Sequence, residues 1–211
     1  MKLTLFILGH IILSTYATAD TLDVKYSSFY SHVKKLDNPD TNSLRFAFGF
    51  LHIAEKRLCH IISAHIITQK QTLPLTVENN ERFTVPTDKV LKMAKAQVVI
   101  ELDDQANRCD MSVQLETLPS VLKTQYTHSE LLLLFNQYQA FFNEMGGFLS
   151  FLMPSAEGLS FHFDEEIHLS ESLQPLMSKE GTIDLSKTWL MGLDGLELPH
   201  KPLRITAIVN N

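Results

Sequence analysis

The chain has 211 residues, of which 45% are hydrophobic and 20% are charged, and its formal net charge is −6. This composition favours a globular protein with a buried core and excludes disordered, collagen-like and low-complexity classes. The acidic balance argues against a general nucleic-acid binder, which usually carries a basic stripe. The 2 cysteines are too few for a disulfide-dense scaffold or for a zinc site made of four cysteines.

Residues 1–19 have the pattern of a secretory signal peptide. Lys2 supplies a positive charge, residues 3–13 are mostly apolar, and Ala17-Thr18-Ala19 matches the A-x-A cleavage pattern. The apolar stretch is shorter than the roughly 20 residues that a membrane-spanning helix needs. We therefore expect export, cleavage after Ala19, and no integral membrane segment once the signal has been removed.

Export changes what is expected of Cys59 and Cys109. Two thiols in an oxidising compartment are more often paired than free. Cys109 also begins an alternating run in which it shares the apolar face with Met111 and Val113. We therefore predict a disulfide between Cys59 and Cys109, and the alternative is a pair of inert buried thiols.

Hydrophobic periodicity predicts helices and strands in both halves of the chain. The predicted helices are residues 26–36, a short helix after an N-cap at Thr87, residues 130–145 after an N-cap at Ser129, and a short helix after an N-cap at Ser186. The predicted strands are residues 44–51, 61–67, 97–102, 109–116, 148–153, 159–163 and 203–209.

The order of these elements is similar in the two halves. Three pairs lie about 100 residues apart, namely Phe50 and Phe148, Leu73 and Leu173, and Thr87 and Ser186. We therefore predict an α+β fold of two tandem, related units, each a helix followed by a small antiparallel sheet, at residues 20–116 and 117–211. They form either two domains or one pseudo-symmetric domain. Residues 194–201, extra in the second unit, are predicted to form an excursion.

Several segments resemble a known family. They are Lys25 to Tyr30, Cys59, residues 83–102, and the run from Arg108 to Gln114. Together they are similar to secreted gammaproteobacterial proteins that are classified only as a domain of unknown function, over roughly residues 22–120. The resemblance implies a periplasmic location in a Gram-negative cell, and it implies no activity.

His162, Asp164 and His168 are the best candidate metal ligands. If one strand continues through all three positions, their side chains lie on the same side of it. Imidazole and carboxylate groups suit zinc, copper or nickel. The alternative, which the alternation favours, is a solvated polar face opposite Phe161 and Phe163.

Catalytic motifs give little support for an enzyme. The sequence contains no G-x-S-x-G, no H-E-x-x-H and no glycine-rich phosphate loop. We predict a non-enzymatic periplasmic binding or accessory module, without a cofactor, whose partner is an unknown protein or small molecule. The alternatives are a periplasmic metal-binding protein and, less favoured, a hydrolase whose triad forms only in the folded chain.

Two features point to where a partner would bind. Clefts often lie at junctions between units, so a groove between the two halves is the expected ligand site. Leu132 and Leu133 lie outside the main apolar stripe of the predicted helix at 130–145. They either pack between the two sheets or contact a partner.

Overall fold

The structure is a computed structural model, and it describes residues 19–146, 154–164, 167, 173–179 and 181–210. Its helices and strands follow one another as β1 (Asp20–Lys25), α1 (Tyr26–Val33), β2 (Leu44–His52), β3 (Ile61–Ile67), β4 (Thr72–Leu75), α2 (Lys89–Met93), β5 (Gln97–Leu102), β6 (Cys109–Thr117), β7 (Gln125–Thr127), α3 (His128–Gly146), β8 (Ala156–His162), β9 (Ile183–Ser186), α4 (Lys187–Gly192), β10 (Gly195–Glu197) and β11 (Arg204–Val209). None of the described helices is long and apolar enough to span a membrane.

The strands form four small antiparallel sheets, which confirms the α+β class. Their orders are β1-β5-β3-β4, β2-β6, β11-β8-β9 and β10-β7. The edge strand β6 lies beside the edge strand β11 without a hydrogen-bonded ladder between them. The sheet β2-β6 and the sheet β11-β8-β9 therefore meet side by side at the junction of the two predicted units.

Helix α3 holds this junction together. The face predicted from its periodicity is buried, and its Phe141 ring lies 5.7 Å from the ring of Phe46 in β2. Tyr138 is fully buried, and its hydroxyl donates to the carbonyl of Ile205 in β11 at 2.7 Å. The same oxygen lies 3.2 Å from the hydroxyl of Thr117 in β6. One apolar cluster thus runs through both halves of the chain.

Two predicted N-caps are wrong by one or two residues. Helix α3 begins earlier than expected, because Thr127 and not Ser129 forms a capping box with Glu130: each side chain accepts from the other residue's amide, at 3.3 and 2.9 Å. Asp88 and not Thr87 caps α2, while Ser186 caps α4 as predicted. In both helices a neighbouring polar residue, and not the predicted one, has the geometry to accept from the free amides of the first turn.

Of the three residue pairs that suggested a repeat, the pair Thr87 and Ser186 and the pair Leu73 and Leu173 do not match in local structure, and the third is not described. Residues 194–201, the predicted excursion, lie between α4 and β11, and residues 195–197 within them form β10. Leu73 lies in β4, whereas Leu173 precedes a short 3-10 helix. The strand predicted at 148–153, which includes Phe148, falls outside the described residues, as does nearly all of the predicted signal peptide. The division at residues 116 and 117 stays a prediction.

Candidate functional site: a buried arginine face

The predicted disulfide between Cys59 and Cys109 is confirmed. Both residues are buried, and their Cα atoms lie 6.4 Å apart. The bond ties the segment before β3 to the first residue of β6, and Cys109 is paired in register with His52 of β2. The disulfide therefore fixes one end of the β2-β6 ladder.

The β2-β6 ladder turns an aromatic face to the core and a charged face away from it. Arg45 of β2 lies opposite Glu116 of β6. Its Nε and one Nη donate to Glu116 Oε1 at 3.0 and 2.7 Å, and its guanidinium also contacts both carboxylate oxygens of Glu78. Arg45 therefore joins two carboxylates with charge-assisted hydrogen bonds.

Arg82 lies against the same face of β2-β6 and is only 7% exposed. Its guanidinium makes two long contacts, to the carbonyl of Ala47 at 3.4 Å and to the hydroxyl of Ser112 at 3.5 Å. Gly49 permits this approach, because a Cβ there would lie 2.8 Å from the carbonyl oxygen of Glu81. The absence of a side chain at residue 49 thus lets the segment with Arg82 rest on the strand.

The neighbouring sheet continues this polar surface. In the register of β8 and β11, Arg204 lies opposite His162 and Thr206 lies opposite Ser160. His162 Nε2 is 2.9 Å from Thr206 Oγ1, and an Arg204 Nη lies 3.5 Å from His162 Nδ1. Ser160 in turn donates to Asp184 of β9 at 2.6 Å.

Burial and mutual repulsion perturb the titration of these groups. Burial raises the pKa of Glu116, although Arg45, Arg82 and Arg204 oppose that effect. Burial also lowers the pKa of Arg82, and the charges of Arg204 and Arg45 lower it further. Burial with the nearby charge of Arg204 lowers the pKa of His162 to about 4, so its ring is neutral at pH 7. Such clustered shifts are typical of functional sites, although structural networks also produce them.

We call this surface the arginine face and define it by Arg45, Glu78, Arg82, Glu116, His162 and Arg204. It carries three guanidinium groups against two glutamates. Three of its buried atoms have no hydrogen-bond partner among the described residues: Arg82 Nε, Arg204 Nε and Glu116 Oε2. The two spare donors, and the repulsion of Arg82 by Arg45 and Arg204, suit an anionic group such as a carboxylate, phosphate or sulfate.

The structure describes two of the three predicted metal ligands. His162 lies in the arginine face with both ring nitrogens in contact, Asp164 is exposed beyond the end of β8, and His168 lies outside the described residues. The metal set therefore stays a prediction, which calorimetric titration with zinc tests. Among the described residues, Cys59, Asp104 and Cys109 lie close enough together to hold a metal ion. The sulfur atoms of the two cysteines, however, form the disulfide.

The geometry of a serine hydrolase is not formed around His162. In a triad, one ring nitrogen contacts the nucleophile and a carboxylate orients the other. Here Thr206 and Arg204 occupy the two ring nitrogens, and Ser160 bonds Asp184 directly. These contacts hold the ring in place without activating a hydroxyl.

A groove lies along α3, where the lining residues come from 39–43 and from α3 itself among others. It consists of two hollows of about 300 and 370 Å³, and Leu133 forms a wall of both. Leu133 is 55% exposed, whereas Leu132 packs against the core. Leu132 therefore packs in the protein, as one of the two alternatives predicted, whereas Leu133 is exposed and free to contact a partner.

Sequence reasoning did not identify the arginines as site residues. The signal was present in part, since Arg45 is the one charged residue in the strand sequence LRFAFGFLH of β2. A charge inside such an apolar strand needs a partner in the fold. No comparable local pattern marks Arg82 or Arg204.

A known family matches more than half of the chain. Residues 18–163 match DUF2987, a family described as protein of unknown function. The matched range includes Arg45, Glu78, Arg82, Glu116 and His162, whereas Arg204 lies beyond it. No curated protein and no solved structure matches the chain.

Proposed function

We propose that this chain, which belongs to the DUF2987 family, is an exported, periplasmic binding module that holds an anionic group of its ligand at the arginine face. The observation that carries the proposal is the state of Arg82. Its side chain is buried, and it forms no ion pair with a described residue, because Arg45 takes both nearby glutamates.

The physical argument rests on the cost of a buried charge. A guanidinium removed from water is unfavourable unless a charged or polar group compensates for it. Arg82 has only two long hydrogen bonds in the described structure, and Arg204 lies close enough to lower its pKa. A ligand carboxylate or phosphate between these guanidinium groups relieves their repulsion and accepts their spare N–H donors.

Binding without catalysis is the role that this geometry supports best. His162 is held by Thr206 and Arg204, so no carboxylate prepares its ring for proton transfer from a nucleophile. The arginine face also spans both units, where the sequence led us to expect a ligand. The groove beside Leu133 is a second surface, and it suits an apolar part of a partner.

Ligand binding is tested by thermal unfolding in phosphate, sulfate and citrate at constant ionic strength. We expect at least one anion to stabilise the protein, by about 2.7 kcal/mol when its concentration is a hundredfold above Kd. Arg82→Gln and Arg204→Gln should lose this stabilisation. Arg108→Gln, which removes an exposed arginine outside the face, should keep it. Equal anion effects in all four proteins would contradict the proposal.

The proposal of export is supported by the disulfide and by the start of the fold. Disulfides persist in oxidising compartments. Strand β1 begins at Asp20, so cleavage after Ala19 leaves this strand whole. Mass spectrometry of the periplasmic fraction should find Asp20 as the first residue, and an intact Met1 or a cytoplasmic location would contradict export.

A further inference from the structure

Helix α2 lies between two surface hollows. One hollow, of about 590 Å³, is bounded by residues 68–71 and by α2, and the other, of about 380 Å³, by Lys25, Lys92 and Gln97 among others. Lys95 lines both. The two hollows therefore form one continuous surface around the end of α2.

This surface is strongly basic although the whole chain is acidic. Four exposed lysines line the hollows, Lys25, Lys70, Lys92 and Lys95, and a fifth exposed lysine, Lys89, is the first residue of α2. None of them forms an ion pair with a described residue, and the residues that line the two hollows include no aspartate or glutamate. The nearest acid on α2, Asp88, caps the helix by accepting from two of its amides.

Two large apolar side chains project from the middle of these lysines. Val90 is 71% exposed and Met93 is 72% exposed. Because they are three residues apart on α2, they lie on the same side of the helix. Ile67, at the end of β3, is a further exposed apolar residue and is 38% exposed. We call this surface the α2 patch and define it by the five lysines with Val90 and Met93.

The backbone at Lys95 is unusual for a lysine. Its φ angle is 52°, in the left-handed region that usually favours glycine at the end of a helix. Its amide donates to the carbonyl of Lys92 at 3.1 Å, and the next amide, of Ala96, donates to Leu91 at 3.1 Å. The turn that ends α2 thus places a charged side chain where glycine would fit with less strain.

We propose that the α2 patch docks on the surface of an anionic lipid bilayer. Lysines attract anionic headgroups, and their aliphatic stems allow the ammonium groups to stay at the headgroup level. Val90 and Met93 then enter the boundary between headgroups and acyl chains, as apolar residues of peripheral proteins do. An acidic protein surface would satisfy the lysines but would place its carboxylates against two apolar side chains.

The test is sedimentation with vesicles, using the chain from Asp20 onward, which contains every described helix and strand and excludes the apolar stretch at 3–13. One vesicle preparation is phosphatidylcholine alone, and the other contains one third phosphatidylglycerol. We expect binding to the anionic vesicles only, with a loss of at least tenfold in 1 M NaCl because salt screens the attraction. Equal binding to both vesicles, or to neither, would overturn the proposal.

Three variants separate charge, insertion and fold. Lys89→Glu with Lys92→Glu should weaken vesicle binding at least tenfold, and Val90→Ser with Met93→Ser should weaken it severalfold at unchanged charge. Lys95→Gly should also weaken binding severalfold while Tm stays equal or rises, because glycine relieves the left-handed backbone. Lys179→Glu with Lys201→Glu, a matched change at exposed lysines elsewhere, should bind as the wild type does.

Polyglutamate is the probe for the competing partner of the α2 patch, which is an acidic protein surface. If polyglutamate binds the serine variant as tightly as the wild type, and the anionic vesicles bind neither, the α2 patch recognises an acidic protein and the bilayer proposal is wrong. Vesicle binding that the paired glutamate variant leaves unchanged would also contradict it. These measurements do not involve the arginine face, so their outcome is independent of the proposed ligand site.

Discussion

The two predicted units have matching hydrogen bonds at one turn and differ in the strands that they add around it. In the first unit Val77 bridges Phe83, and in the second unit Met177 bridges Ile183. The closing hydrogen bonds also match, with Glu78 N donating to Arg82 O at 2.7 Å and Ser178 N donating to Thr182 O at 2.8 Å. In both predicted units the residue after the turn pairs with the first described strand that follows the unit's first helix, at Phe48 and at Phe161.

The pairing of the remaining strands extends this comparison. The strand before the first helix of each unit pairs with the strand after its short helix, which gives β1 with β5 and β7 with β10. The next described strand after the first helix pairs with the last described strand of the unit, which gives β2 with β6 and β8 with β11. Duplication predicts such a pattern, and superposition of residues 26–102 on 129–209 remains its test.

The differences show how each unit is stabilised. The first unit adds the hairpin β3-β4 and the disulfide, and its helix α1 has 8 residues. The second unit has a helix of 19 residues, α3, which packs on both halves. The last strands, β6 and β11, lie side by side, so the arginine face arises where the units meet and belongs to neither alone.

Among the changes that test this comparison, removing the disulfide should lower the free energy of unfolding the most. Cys59 and Cys109 are separated by 50 residues, and such a bond stabilises a protein by about 2–5 kcal/mol. Replacing both by Ala should lower the free energy of unfolding in urea by that amount. The chain has a single tryptophan, Trp189, which lies in the second predicted unit. Its fluorescence therefore reports the unfolding of that unit.

Because both halves of the chain share one apolar core, we expect them to unfold together in the same experiment. The urea midpoint from Trp189 fluorescence should fall together with the midpoint from far-UV circular dichroism, although the disulfide lies in the first unit. An unchanged Trp189 midpoint would show that the units unfold independently. Thiol labelling of the denatured, unreduced wild type should detect no free cysteine.

Tyr138 provides a sharper test of the junction. Tyr138→Phe keeps the ring in the core but leaves Ile205 O and Thr117 Oγ1 without this buried partner. We expect a loss of about 1–2 kcal/mol of unfolding free energy in urea. Tyr30→Phe, which removes a hydroxyl from a partly exposed tyrosine of α1, is the matched control and should change stability by less than about 0.5 kcal/mol. Equal losses in the two variants would contradict the bridging role.

The pH dependence of stability isolates His162. Its pKa is about 4 in the folded protein against an ordinary value of 6.5, so the unfolded chain binds the proton more readily. The associated stability is complete above pH 6.5 and is lost as the pH falls towards 4. We expect roughly 1–2 kcal/mol, after allowing for its partial exposure to solvent.

Other groups titrate in the same range, so a matched variant is needed. His60 has a raised pKa because Glu81 accepts its hydrogen bond, and the pKa of buried Glu116 is also raised. Their contributions oppose that of His162 and cancel when the wild type is compared with His162→Gln. The difference in stability between these two proteins should shrink as the pH falls from 7 to 4, and a constant difference would refute the assignment.

The sequence predicted those features that depend on near neighbours. The apolar stripe of α3 and the alternation of β2 and β6 are local patterns, and their positions were correct within a few residues. The disulfide followed from the compartment and the number of cysteines. The arginine face depends on the registers of β2 with β6 and of β8 with β11, which join distant segments, so only Arg45, the charged residue of the apolar strand β2, left a local signal.

Substitutions at the N-caps of the two short helices should change the free energy of unfolding the least. They test whether the caps at these matching positions stabilise the protein equally. Asp88 Oδ1 accepts from the amides of Val90 and Leu91 at 2.6 and 3.4 Å, whereas Ser186 accepts only from Trp189 at 3.4 Å. Asp88→Ala should therefore cost about 1 kcal/mol and Ser186→Ala about 0.5 kcal/mol in urea unfolding. Thr87→Ala should be nearly neutral, since Thr87 does not cap α2. If Thr87→Ala costs as much as Asp88→Ala, the cap lies one residue earlier and the closer match of Thr87 with Ser186 is restored.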